Sequence, residues 1–168
     1  MELMDVIRQR RSIRKYKPDP VPKEDLEHVL EAARLAPSWA NSQCWKFVVV
    51  TDPKVKSELA KAGNEWTARA PVLIAACADP SKPGTKGDQA YYMLDIGIAM
   101  EHLILAAADR GLGTCWIGWF KEDVAKRALG VPENIRVVAF TPLGYPDETP
   151  SPRPRKALSE IVSYNQYE

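Results

Sequence analysis

The chain is poor in the residues that carry most metal and nucleophilic chemistry. Of its 168 residues only three are cysteine, Cys44, Cys77 and Cys115, far apart and with no C-x-x-C pair. That argues against a structural zinc site and a secreted disulfide framework. There are two histidines, His28 and His102. Most zinc-hydrolase layouts and a Ser-His-Asp triad are thereby disfavoured. A surplus of one charge sign is missing as well: 23 Lys plus Arg stand against 22 Asp plus Glu, a net charge of +1. Bulk charge gives no reason to expect nucleic acid or an anionic membrane as a partner, and such a role would need a local patch. No uncharged apolar run approaches the roughly 18 residues of a membrane span, and MELMDVIRQRR has charges where a signal peptide has its apolar core. No repeat or low-complexity tract appears. The expectation is one cytoplasmic domain over 1–168, with 144–168 as an extended tail.

What is present is a sequence of alternating helical and strand patterns, which predicts an α+β or α/β chain with a mixed sheet. Helices are expected at Leu3 to Gln9, Lys23 to Leu35, Pro53 to Ala62, Gln89 to Arg110 and Lys121 to Leu129. Strands are expected at Trp45 to Thr51, Pro71 to Ala78, Thr114 to Gly118 and Ile135 to Leu143. PVLIAACA at 71–78 is apolar throughout, as a central strand covered on both faces would be. The helix from Gln89 is apolar on nearly every face, interrupted by Asp95, Glu101 and His102. It reads as a core helix, with Gly97 and the alanines allowing close approach. Pro146, Pro150, Pro152 and Pro154 stiffen a tail that must lie on something, and with the long apolar helix this points to a dimer.

Four segments are candidates for chemistry. In an extended chain Arg10, Ser12 and Arg14 share one face, with Arg11 and Ile13 on the other. Two guanidinium forks and a hydroxyl suit a phosphate dianion, and a solvated basic edge strand uses the same residues. Arg153 and Arg155 stand in a proline-flanked basic cluster that adds further guanidiniums if the tail folds back. The loop Pro37-Ser38-Trp39-Ala40-Asn41-Ser42-Gln43 offers amides that match alternating C=O and N–H groups on a planar heterocycle. It is also readable as a plain helix-to-strand turn. Finally, GLGTCWIG at 111–118 has glycines in front of a strand. It is not a dinucleotide fingerprint, because a helix precedes it and a strand follows.

In their order and spacing, RRSIRKY at 10–16, APSWANSQCWKF at 36–47, DIGIAMEHLILAAADRGLGTCWIG at 95–118 and PRPRK at 152–156 resemble the FMN-dependent nitroreductase family over nearly the whole chain. The resemblance implies a mixed α+β sheet flanked by helices, in an intertwined homodimer with FMN at the subunit interface. It implies that Arg10, Arg11, Ser12 and Arg14 hold the phosphate and ribityl chain, with Arg155 and more weakly Arg153 on the phosphate. It implies that Pro37, Ser38, Asn41 and Gln43 reach a flavin across the interface, and that Trp116, Ile117 and Gly118 lie against the isoalloxazine. Trp39, Trp66 and Trp119 are candidates to roof the ring. Cys44 departs from the proline common after that Gln; it and Cys115 are read as packed thiols. The implied activity is NADH- or NADPH-dependent reduction of a small-molecule acceptor (nitroaromatic, quinone or enone) by ping-pong hydride transfer through flavin N5. The Gly118 backbone is expected near N5, with no catalytic side chain. The same resemblance leaves open dehalogenation or consumption of the flavin. A basic nucleic-acid-binding module is the remote alternative.

Overall fold

The computed structural model describes residues 1–167, with the backbone alone for Thr85 and Lys86. Its helices are α1 (Leu3–Gln9), α2 (Lys23–Arg34), α3 (Pro53–Ala60), α4 (Tyr91–Asp109) and α5 (Glu122–Leu129). Its strands are β1 (Trp45–Val50), β2 (Val72–Ala78), β3 (Thr85–Lys86), β4 (Gln89–Ala90), β5 (Gly113–Thr114) and β6 (Arg136–Gly144). Four of the strands form one sheet in the order β1-β2-β6-β5, and every neighbouring pair is antiparallel. The α+β class holds, but the expected mixed sheet narrows to a single parallel bridge, Ser12 to Thr114, at its edge.

β2 is buried along its whole length. Its side chains alternate between two cores, as a period of two requires. Ile74, Ala76 and Ala78 meet Val29 and Ala33 of α2 and Ile96, Met100 and Leu103 of α4. Leu73, Ala75 and Cys77 meet Leu59 of α3, Ala125 of α5 and Phe140 of β6. Each fully buried Leu, Ile, Met or Phe here contributes about 1.5–3 kcal/mol. The run is apolar throughout because both faces are covered, although its neighbours are antiparallel. By length and composition α4 is apolar enough to cross a membrane. In this fold it packs along α2 and against β2, with Asp95, Ile96, Met100, Leu103 and Ala107 buried.

Most element ends lie within one or two residues of the sequence expectation, and two of the differences have a clear tertiary cause. α4 starts at Tyr91, not Gln89, because Gln89–Ala90 pair with Thr85–Lys86 across Gly87-Asp88. Gly87 takes φ +62°, the left-handed value such a two-residue turn requires. The strand expected over Thr114–Gly118 is regular only at Gly113–Thr114. The Cys115 N–H donates to Thr141 Oγ1 (3.1 Å) instead of to a ladder carbonyl, and the chain rejoins β6 only at Ile117, through Phe140. Helix α3 illustrates a start that is legible locally: Asp52 accepts from the N–H groups of Lys54 (2.9 Å) and Val55 (3.0 Å), with Pro53 in the first turn.

Candidate functional site

Helix α1 ends at Arg10, whose backbone turns extended (φ −53°, ψ 132°). The chain then runs along β5. Ser12 pairs with Thr114, and the Ile13 N–H donates to the Thr114 carbonyl at 2.8 Å. This approach requires glycine at 113, where a Cβ would sit 2.8–3.0 Å from Ile13 side-chain atoms. The tail returns along the other side of the same segment. Lys17 N–H donates to Tyr145 O and Asp147 N–H to Lys15 O, both at 2.9 Å. The Glu148 carboxylate accepts from the N–H groups of Arg14 (2.5 Å) and Lys15 (3.2 Å). Thus the tail is zipped to the opening segment before it passes the end of α1.

The result is a cleft of about 590 Å³. Arg8, Arg10, Arg11, Ser12 and Arg14 line one wall, and Pro152, Arg153 and Arg155 line the other. Six guanidiniums gather there, and no carboxylate lines it among the described residues. The expected alternation is only half kept. Ile13 turns inward (6% exposed), but Arg11 also lines the cleft. Its Nη1 curls back to donate to the carbonyls of Arg8 (2.6 Å) and Arg10 (2.8 Å), left free at the end of α1. Its Nε is buried and has no partner. An unpaired buried N–H costs about 1–3 kcal/mol, and the guanidiniums that line the cleft suit an anion in charge and fork geometry. The donor set therefore fits a phosphate.

The polar loop lies elsewhere in the chain, at the first turns of α4, and Pro37, Ser38, Asn41 and Gln43 do not line the cleft. Its backbone is unusual. Ala40 (φ 47°), Asn41 (φ 53°) and Gln43 (φ 45°) are all left-handed, a conformation that costs a non-glycine residue roughly 1–2 kcal/mol, with Asn the most tolerant. Ser38 Oγ accepts from the Gln43 N–H (3.0 Å), and Asp95 of α4 holds both sides of the turn: Oδ1 accepts from Trp39 N–H (2.8 Å) and Oδ2 from Ser42 Oγ (3.2 Å). The Trp39 ring, 44% exposed, stacks on Tyr91 at 5.3 Å.

Beyond Thr114, Trp116 and Gly118 are exposed, with the Trp116 indole against Gly118. Ile117 differs from the expectation: its side chain enters the core, and its N–H and C=O are both bonded to Phe140. Cys44, Cys77 and Cys115 are buried free thiols, as the packed-thiol reading expects for Cys44 and Cys115. Burial, then the nearby Asp95 carboxylate, pushes the Cys44 thiol up to about 11; burial, then Glu122, does the same for Cys77. Cys115 is raised too, chiefly by burial. Trp66 is half-buried in the second core, and Trp119 is almost fully exposed. Sequence reasoning missed Glu148, Asp95 and Arg8. Asp95 did leave a signal, an acid on a helix otherwise apolar on nearly every face.

A sequence profile of the Nitroreductase family matches residues 7–65 and 56–145, so it spans the opening arginines, the polar loop and the glycine turn. The chain belongs to the nitroreductase family. A solved nitroreductase family protein of Clostridium novyi NT is 41% identical and superposes with a TM-score of 0.85, covering 88% of this chain and 87% of that one. The NADPH-flavin oxidoreductase of Vibrio harveyi is 32% identical over 98% of this chain and 74% of its own length. The iodotyrosine deiodinase of Thermotoga neapolitana is 27% identical over 98% of both chains. This nitroreductase-family chain thus resembles both donor-dependent flavin enzymes and a dehalogenating one along nearly its whole length.

Proposed function

We propose that the chain is an FMN-dependent NAD(P)H oxidoreductase that reduces flat acceptors such as nitroaromatics, quinones or enones. The observation that carries this reading is the arginine cleft, with six guanidiniums, the Ser12 hydroxyl and an unpaired buried Nε. A phosphate dianion matches that donor set in charge and in fork geometry. Arg10, Arg11, Ser12 and Arg14 hold the phosphate and ribityl end, with Arg153 and Arg155 closing over it from the tail. Trp116 and the Gly118 backbone border the ring. Pro37, Ser38, Asn41 and Gln43 serve the site of a second copy, which explains why the loop does not line the cleft of its own chain.

Held by these residues, FMN would supply the hydride chemistry that links NADH or NADPH to the acceptor. The residues would bind and orient it, the cleft arginines fixing its phosphate. A homodimer completes the site. The exposed apolar side chains Leu158, Ile161, Val162 and Tyr164 on the tail, Met93 and Leu94 on α4, and the open space beside Gly97 support it. Reductive dehalogenation is the second reading, supported by the deiodinase relative; halide release from an iodinated phenol distinguishes it.

Arg10→Ala and Arg155→Ala should each weaken FMN binding by about 1.5–3 kcal/mol, the scale of hydrogen bonds to charged groups. Riboflavin, which has no phosphate, should bind the parent chain far more weakly than FMN. Titration by flavin fluorescence measures both. Unchanged FMN affinity in the two variants, or equal affinity for the two flavins, would refute the assignment.

A further inference from the structure

Asp95 lies on the buried side of α4, 1% exposed, in an otherwise apolar core. Among the described residues no lysine or arginine forms an ion pair with it. A buried carboxylate survives there only if hydrogen bonds replace its water. Those bonds all come from one segment: Trp39 N–H at 2.8 Å, Ser42 Oγ at 3.2 Å and Cys44 Sγ at 3.7 Å. Trp39 and Cys44 flank, and Ser42 lies within, a segment in which Ala40, Asn41 and Gln43 are left-handed and only Ser42 is right-handed. Such a run persists only where its surroundings over-determine it. One turn earlier on α4, on the same helix face, Tyr91 stacks on the ring of Trp39. Thus one residue of α4 fixes the backbone of Trp39 and another fixes its indole.

We propose that Asp95 is the positioning residue of the polar loop, holding the strained turn in the one conformation that presents Trp39, Asn41 and Gln43 outward. What the loop meets rests on the proposed function; that Asp95 holds it does not. As a carboxylate Asp95 accepts from all three partners at once. An amide at 95 keeps one acceptor oxygen and turns an N–H2 group toward Ser42 and Cys44.

The test uses the full chain as purified, with Asp95→Asn, Asp95→Asn combined with Ala40→Gly, and Ser42→Ala. In Asp95→Asn, amide exchange over 37–44 should quicken about tenfold while the rest of the chain stays protected. The KM for 1,4-benzoquinone should rise about fivefold with kcat nearly unchanged, as loss of a positioning contact implies. Glycine removes the left-handed strain at one of the three positions, so Ala40→Gly should restore part of both. A purely structural defect would not be rescued at that position. Unchanged loop exchange in Asp95→Asn overturns the proposal, as does a KM defect that Ala40→Gly leaves untouched. If Asp95→Asn does not fold, Ser42→Ala decides: quickened loop exchange supports the proposal, and parent-like exchange overturns it. A parent chain that binds no FMN refutes the proposed function, and the exchange measurement still decides the role of Asp95.

Discussion

Arg10 and Arg155 line one cleft from opposite ends of the chain, and the Nε of Arg11, which also lines it, is buried without a partner. Arg10 and Arg14 were legible in the sequence because extended spacing puts them on one face, whereas Arg11 reaches the same cleft against that alternation. Glu148 was not, because its bonds to Arg14 and Lys15 depend on where the tail returns, which no local pattern encodes. The cysteines belong to this scale too. Burial raises all three thiols, Cys44 and Cys77 to about 11, so they stay protonated and shielded well above neutral pH. An aromatic disulfide reagent at about pH 8 should therefore find no reactive thiol in the native chain and three after denaturation. One fast-reacting native thiol would contradict the packed-thiol reading and reopen a redox role.

Among the elements, β2 and α4 were readable because an unbroken apolar run and a long apolar helix leave few alternatives. The ends of α4 and β5 were not, since a two-residue hairpin at Gly87-Asp88 and the Thr141 hydroxyl at Cys115 N–H decide them through tertiary contact. The site depends on how closely the opening segment approaches β5, and that distance is set at Gly113. Gly113→Ala would drive a Cβ into Ile13. Overpacking of this kind costs about 1–3 kcal/mol, which lowers the melting temperature of a chain this size by roughly 2–4 °C per kcal/mol. The same variant should bind FMN more weakly, because Ser12 and Arg14 are carried on the displaced segment. Differential scanning fluorimetry with and without FMN measures both. A melting temperature equal to that of the parent would mean the segment accommodates the methyl and that the close contact does not set the cleft.

At the scale of the whole molecule, the fold brings the two arginine segments together but leaves the polar loop at another place on the same chain. The family resemblance carried the order of these segments and the two-copy site they imply, which composition and periodicity did not. The tail holds Leu158, Ile161, Val162 and Tyr164 in solvent, an exposed apolar patch of the kind that marks an interaction surface. Light scattering after size exclusion should give twice the 18.8 kDa chain mass, and removal of residues 156–168 should weaken that association. A stable species at the single-chain mass would contradict it. The most direct test of the central claim is the visible spectrum of the purified protein with FMN, recorded anaerobically before and after NADH or NADPH. The account gives a yellow protein whose flavin bands bleach with at least one donor and return when a quinone is added. A chain that takes up no FMN, or a yellow one that neither donor bleaches, would contradict it.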